Sequence, residues 1–228
     1  MYSKSIDLYA DGIGKVDYIQ HMGDDLTVVN AARVSFGVHK ESLEAKDKKL
    51  IKYLVEHKHT STLEHNVVTF RFKVPLFIRS QHHRHRTWSY NEISRRYTDI
   101  DLCFYEPEAF RSQHESNRQA STDKLVDPIV YDARASKVVK DHHEASVFLY
   151  NRLIEGGVCR EQARGILPQN LYTEYYGTVN LNNLMKFVNL RSHAGAQWEI
   201  QQVARATLDI ATDLWPCAVN SCRENKKL

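Results

Sequence analysis

Fourteen consecutive residues, from Arg84 to Tyr97, gather side chains that together could hold a small phosphorylated heterocycle. They read RHRTWSYNEISRRY and include four arginines, one histidine and one glutamate. The guanidinium group of arginine is a planar fork that binds two oxygens of one phosphate at once. Asn, Glu and Ser carry the donors and acceptors that recognise the edges of a ring. The segment therefore predicts a site for an anionic, ring-containing ligand.

Two other interpretations of this region can be weighed on its residue types. A basic face for nucleic acid needs clustered charge but not this order of residues, and the net charge of the chain is only +3. A metal site is suggested by His82, His83 and His85, but no matching set of cysteines or aspartates accompanies them. We therefore predict no metal and no nucleic-acid partner.

The order of the segment resembles the signature of the flavin-dependent thymidylate synthases, which is RHR followed after seven residues by Ser. The longer form of that signature is also met, and the matching positions are Arg84, His85, Arg86, Ser89, Asn91, Glu92, Ser94, Arg96 and Tyr97. Further segments resemble the family at 31–36, 59–65, 160–171, 187–191 and 196–201. The resemblance thus covers nearly the whole chain apart from both termini and a polar stretch near the middle.

The resemblance implies an activity, its cofactor and an assembly. Enzymes of this family convert dUMP to dTMP with methylenetetrahydrofolate as one-carbon donor and FAD, reduced by NADPH, as hydride carrier. They use no enzyme nucleophile, so Ser94 is expected to be a phosphate ligand. Their sites are shared between the subunits of a homotetramer, and we expect the same here.

The resemblance also assigns residues to dUMP. Arg96 and Arg164 are expected to clamp the phosphate, with Ser94 and the backbone at Arg95 adding hydrogen bonds. Around the deoxyribose and uracil we expect Gln81, Glu92 and Arg191. Arg191 is the expected catalytic residue, because a cation at the uracil edge stabilises the negative charge that builds when hydride adds to the ring.

The FAD ligands implied by the resemblance come from several segments. They are Ser35, His59, Ser61, Glu64, Arg84, His85, Arg86, Asn91, Asn180 and Lys186. The chain departs from the family pattern at Asn182, where an arginine is expected, and near Gly195, where His193 stands two residues early. Asn182 cannot supply the missing charge, whereas Lys186 could.

Length and composition limit the number of domains and the class of protein that can position these residues. A chain of 228 residues with 42% hydrophobic and 26% charged residues is typical of one globular domain, here residues 1–228. The N-terminus lacks the apolar run of a signal peptide, and no stretch is long enough to span a membrane. The four cysteines are scattered and predict free thiols, hence a cytoplasmic protein.

Apolar periodicity predicts an α+β fold with a mixed sheet-and-helix core and a helical subdomain. It predicts a half-buried strand at 67–74 and helices at 26–33, 44–57, from Pro75 onward, 135–155, 161–167, 180–190 and 197–214. In helix 135–155 we expect the apolar stripe to include His142, Ala145 and Leu149. Residues 110–127 are polar and predict a mobile surface loop.

Two alternatives to a thymidylate synthase remain at this point. One is a flavoprotein of the same fold that lacks methyl transfer, suggested by Asn182 and the change near Gly195. The other is a nucleic-acid-binding protein that uses the basic, aromatic run 84–97. The latter does not account for Glu64, Glu92 or the run 160–170.

Overall fold

A five-stranded antiparallel sheet lies at the centre of the fold. The computed structural model describes residues 2–225. Its strands are β1 (Ser5–Asp7), β2 (Lys15–Met22), β3 (Val67–Pro75), β4 (Ser89–Glu92), β5 (Phe110–Gln113), β6 (Ser121–Val126), β7 (Ile129–Val130), β8 (Ala133–Arg134) and β9 (Tyr172–Asn180). The central sheet has the order β1-β2-β3-β9-β4. The edge strand β4 comes from the arginine-rich segment.

Strand β3 is the middle strand of this sheet, and buried side chains alternate with more exposed ones along most of it. Val68, Phe70, Phe72 and Val74 are each fully buried, while Arg71 on the other face is partly exposed. The strand pairs with β9 along its whole length, from Val67 opposite Asn180 to Pro75 opposite Tyr172. The predicted strand at 67–74 is therefore confirmed, with one further residue.

The helices cover the sheet and supply most of the remaining core. They are α1 (Asp25–Arg33), α2 (Ala45–Glu56), α3 (Leu76–His82), α4 (Ala135–Glu155), α5 (Arg160–Ala163), α6 (Leu181–Arg191), α7 (Trp198–Leu214) and α8 (Pro216–Glu224), with 3₁₀ turns at 34–36, 60–65 and 164–166. Asp24 caps α1 by accepting from the backbone of Thr27. The predicted helices are present, and α8 was not predicted.

Helix α4 has the predicted bounds but a different buried face. His143, Ser146 and Tyr150 are buried, whereas His142, Ala145 and Leu149 are exposed. The predicted stripe is thus wrong by one position along the helix. Tyr150 packs with Ala163, Leu167 and Leu171 in a second, smaller apolar cluster, so α4 and α5 form a helical layer beside the main core.

Residues 110–127 form a β-hairpin and not the predicted loop. Strands β5 and β6 pair in antiparallel fashion, with Phe110 opposite Val126 and Gln113 opposite Ser121. The hydroxyl groups of Ser112 and Thr122 lie 2.5 Å apart and link the strands. Polar side chains on both faces conceal the two-residue period of a strand, so the pattern indicated a loop. Within residues 2–225 no helix is both long and apolar enough to cross a bilayer.

Candidate functional site

The arginine-rich segment reaches the sheet edge through a tight turn after α3. The hydroxyl group of Tyr90 donates to the carbonyls of His82 at 2.9 Å and His85 at 3.2 Å, which ties the turn to β4. Trp88 is buried against Phe70 and Phe72. Strand β4 therefore begins at a fixed place on β9, and the polar residues on either side of it are held at the two ends of the strand.

A cleft of about 520 Å³ opens beyond the end of β4; we call it the phosphate cleft after the ligand predicted for Arg96 and Arg164. Its charged and hydroxyl lining is Arg79, Glu92, Ser94, Arg95, Arg96, Arg164 and Thr173. Arg96 and Arg164 are exposed, and neither forms an ion pair within residues 2–225. Segments 94–96 and 164–166, remote in sequence, thus bring two available guanidinium groups to one cleft, as predicted for a phosphate clamp.

The guanidinium group of Arg95 is bonded to backbone carbonyls of the protein. It donates to the carbonyls of Ile100 at 2.5 Å and of Asp101 and Tyr172 at 3.4 Å. These bonds tie the loop after β4 to the start of β9. The assignment of the Arg95 backbone to the ligand stays a prediction.

Glu92 lies in the phosphate cleft and not beside Gln81 and Arg191, with which it was grouped. Its Oε1 lies 3.1 Å from Nε of Arg79 and accepts from the hydroxyl group of Thr173 at 2.6 Å. The sequence reasoning missed Arg79. Its position three residues before His82 in α3 was a possible signal, since it places the side chain close to the arginine-rich segment.

A second cleft, of about 740 Å³, is lined by Ser80, Gln81, Arg84, Arg86 and Arg191; we call it the Arg191 cleft. It joins residues predicted for uracil with residues predicted for FAD. Nε2 of Gln81 donates to Oε1 of Gln197, which fixes the Gln81 carboxamide from the start of α7. Three guanidinium groups in one cleft favour an anionic ligand.

His85 orients the cation of this cleft. Nε of Arg191 donates to Nε2 of His85 at 3.0 Å. Burial, and then the Arg191 charge, lower the pKa of His85 to about 4, so its ring is neutral at pH 7 and can accept this bond. Burial and the charge of Arg84 in turn lower the pKa of Arg191. The arginine is held in one orientation while it keeps its charge.

Helix α6 organises the residues predicted for FAD. Asn180 caps it by accepting from the backbone of Asn183 at 2.9 Å. In its first turn, Nδ2 of Asn182 donates to Oε1 of Glu64 at 2.9 Å, which attaches the 3₁₀ turn 60–65. Asn182 is buried, so its place in this chain is structural. Lys186 is exposed one turn later, and Arg191 ends the helix.

Comparison with known proteins identifies the family. The family model for Thy1, thymidylate synthase complementing protein, matches residues 17–217. The chain belongs to the flavin-dependent thymidylate synthases. It is 44% identical over 205 residues to the flavin-dependent thymidylate synthase of Thermus thermophilus, and the match covers 90% of this chain and 74% of that protein. It is 43% identical over 191 residues to that of Thermosipho melanesiensis, covering 84% and 82%.

A solved structure is similar to this chain in its fold as well as in its sequence. The UMP/dUMP methylase PolB from Streptomyces cacaoi, in its crystal structure with 5-Br dUMP, superposes with a TM-score of 0.80 at 30% sequence identity. The match covers 96% of this chain and 97% of that chain. Both the sheet-and-helix architecture and the family therefore agree with the expectation from the signature.

The residues of this flavin-dependent synthase fit the pyrophosphate of FAD. Arg84 and Arg86 are exposed, line one cleft, and form no ion pair within residues 2–225. Asn91, on the edge strand β4, is also exposed. Two available cations and an amide are a suitable donor set for a diphosphate and a ring edge.

Other predicted FAD ligands do not line the Arg191 cleft of the same chain. Ser35 is in the 3₁₀ turn 34–36, and His59 and Ser61 are at the turn 60–65; all three are exposed. Within the described part of the chain, none of them forms a hydrogen bond with Arg84 or Arg86. Among residues 2–225, no group of three or more His, Cys, Asp or Glu side chains is placed to hold a metal ion.

Proposed function

We propose that this chain catalyses the reductive methylation of dUMP to dTMP, with methylenetetrahydrofolate as one-carbon donor and NADPH as reductant. When bound, FAD supplies the hydride chemistry that the amino acids lack. The observation that carries the proposal is the pair of clefts. One offers Arg96 and Arg164 for a phosphate, and the other offers a charged Arg191 held by a neutral His85.

The residues of the phosphate cleft bind and position the nucleotide. Arg96 and Arg164 neutralise the phosphate, and the hydroxyl group of Ser94 adds a hydrogen bond. Arg191 acts at the uracil, where its cation stabilises negative charge that develops on the ring. Because His85 takes only its Nε–H, the two terminal nitrogens of Arg191 remain for the uracil edge.

The proposed chemistry needs no nucleophile from the enzyme. None of the four cysteines lines either cleft. Burial raises the pKa of the Cys103 and Cys217 thiols, and raises that of Cys222 to about 12, so these groups are poor thiolates at pH 7. The distribution of thiols supports hydride transfer directly to the nucleotide. Four free cysteines also support a cytoplasmic location.

A site shared between subunits of a homotetramer is part of the proposal. Arg79 lines the phosphate cleft and Gln81 lines the Arg191 cleft, although they are two positions apart in α3. Two positions rotate a side chain by about 200° around a helix, so the two clefts open on opposite sides of α3. A nucleotide that uses both sets of residues therefore takes them from two chains.

Exposed apolar side chains support such an assembly. Val34 is 71% and Phe36 is 83% exposed, on either side of Ser35 in the turn 34–36. Val34 also lines a mainly apolar hollow, together with Met22, Ala31, His39 and His65. Large apolar groups gathered at one surface favour burial by another subunit. Burial there would also bring Ser35 to residues of a second chain.

The test is a visible spectrum of the purified protein, followed by anaerobic addition of NADPH with and without dUMP. We expect flavin bands that bleach faster with dUMP, and dTMP after methylenetetrahydrofolate is added. Bleaching without dTMP would indicate a flavoprotein that lacks methyl transfer. A colourless protein that takes up no FAD would overturn the proposal, and salt-dependent DNA binding would then indicate a nucleic-acid-binding protein.

A further inference from the structure

A third cleft lies between the β5–β6 hairpin and the segment that follows Arg191; we call it the hairpin cleft. Its volume is about 790 Å³. One wall is the hairpin with its tip at 114–120, and the other is formed by residues 192–197 and the first turns of α7. None of the residues predicted for dUMP or FAD lines it, so the function proposed above assigns no ligand to its lining.

The charges of the hairpin cleft favour an anionic ligand. Its guanidinium groups belong to Arg111, Arg118 and Arg205, and its one carboxylate to Asp123. Arg111 is already paired, at 2.7 and 2.8 Å, with the two oxygens of the buried Glu199. Arg118 and Arg205 are exposed and form no ion pair within residues 2–225, and a terminal nitrogen of Arg205 donates to Oε1 of Gln201 at 3.1 Å. Two available cations thus face one carboxylate.

The remaining lining supplies amide and aromatic surfaces. Gln113 and Gln201 donate to backbone carbonyls of their own walls, at 3.0 Å to Ala120 and 2.8 Å to Ala196, so they stiffen the cleft. The carboxamide of Gln119 lines the same space and bonds no other described residue through its side chain. The indole of Trp198 forms part of the wall, with the Arg111 guanidinium 5.3 Å from its ring centre.

The hairpin cleft borders the Arg191 cleft. Ser192, which lines the former, directly follows Arg191, which lines the latter. Gln197 lines the hairpin cleft and accepts the hydrogen bond from Gln81 of the Arg191 cleft. A ligand that reacts beside Arg191 can therefore extend its distant end along residues 192–197 to Arg118 and Arg205.

We propose that the hairpin cleft binds the glutamate tail of methylenetetrahydrofolate, an inference that rests on the function proposed above. The tail consists of an aromatic ring, amide bonds and carboxylates, which match the indole, the carboxamides and the exposed guanidinium groups of the cleft.

A binding experiment tests this assignment without turnover. The probe is p-aminobenzoyl-pentaglutamate, which carries the tail but no pterin, and the method is calorimetry on the purified, flavin-containing protein. We expect the double variant R118Q/R205Q to bind the probe roughly tenfold or more weakly, because hydrogen bonds to charged groups are lost. The control R152Q/R223Q removes two exposed guanidinium groups on α4 and α8 and should bind like the parent. Equal affinity in all three proteins, or no binding by the parent, would overturn the assignment.

Steady-state kinetics give a second readout. For the parent, we expect a lower KM for methylenetetrahydrofolate with five glutamates than with one, and we expect R118Q/R205Q to lose this difference. A rise in KM for NADPH without a change for folate would assign the cleft to the reductant and overturn the inference. Failure of the proposed function is distinct, since it would leave the parent unable to form dTMP while probe binding could still be measured.

Discussion

Nε of Arg191 donates to Nε2 of His85 across 3.0 Å, and this bond joins the end of α6 to the turn after α3. A carboxylate in the place of His85 would also orient the guanidinium but would cancel its charge. The imidazole is neutral, because burial and the Arg191 cation lower its pKa to about 4. In the proposed function, His85 is thus a positioning residue that leaves the cation of Arg191 available to a ring that gains negative charge.

The first prediction is that Arg191→Ala lowers turnover far more than flavin content. Loss of one group that stabilises transition-state charge should reduce kcat by about 10² to 10³. Flavin content should change little, because the exposed Arg84 and Arg86 remain to bind the cofactor. Flavin absorbance per subunit and dTMP formation measure the two effects. As a control, Arg152→Ala removes an exposed guanidinium of α4 and should change neither. A colourless Arg191→Ala protein would instead place Arg191 on the flavin.

The second prediction concerns acid stability. Burial lowers the pKa of His82, His83 and His85 in the folded protein from the ordinary value of 6.5. As the pH falls below 6.5, the unfolded chain therefore binds more protons than the folded chain, and the free energy of unfolding falls. That loss continues until the folded pKa, about 4 for His85, is reached.

Thermal denaturation at pH 7 and pH 5 measures this effect. We expect Tm to fall towards pH 5, and to fall less in His85→Gln, which keeps an oxygen acceptor for Arg191 but has no titrating ring. His142→Gln, at an exposed position of α4, should keep the slope of the parent. Equal slopes in the parent and His85→Gln would show that the pKa of His85 is not lowered.

The sequence predicts the elements with strong periodicity and leaves the contacts between elements open. Strand β3 and helix α4 could be predicted because their apolar residues recur at regular intervals, although the buried face of α4 shifts by one position. The β5–β6 hairpin could not, since its strands are polar on both sides. Nor could the sequence show that Arg79 pairs with Glu92 or that Asn182 bonds Glu64, because these bonds depend on tertiary packing.

The third prediction is that Arg96→Ala and Arg164→Ala weaken dUMP binding. Each removes a charge-assisted partner of the phosphate, which should raise KM for dUMP roughly tenfold to a hundredfold. Arg160→Ala is the matched control, since Arg160 lies on α5 close to Arg164 but bonds Asp99 at 3.3 Å outside the cleft. Deoxyuridine lacks the phosphate, so parent and variants should use it equally poorly. A dUMP affinity that is unchanged in both variants would refute the phosphate assignment.

The fourth prediction is that two impaired variants regain activity at a low dUMP concentration when their subunits mix. If the phosphate cleft of one chain and the Arg191 cleft of another serve one nucleotide, mixed assemblies of Arg96→Ala and Arg191→Ala contain some sites in which both arginines are intact. At a dUMP concentration below the KM of Arg96→Ala, we expect faster dTMP formation after the two proteins are dissociated and reassembled together than after either is treated alone. Arg96→Ala mixed with Arg164→Ala is the control, because both arginines line the phosphate cleft of the same chain and every such cleft then lacks one of them. Activity that returns in neither mixture would place the whole site within one chain, and the two clefts of α3 would then have to serve different ligands.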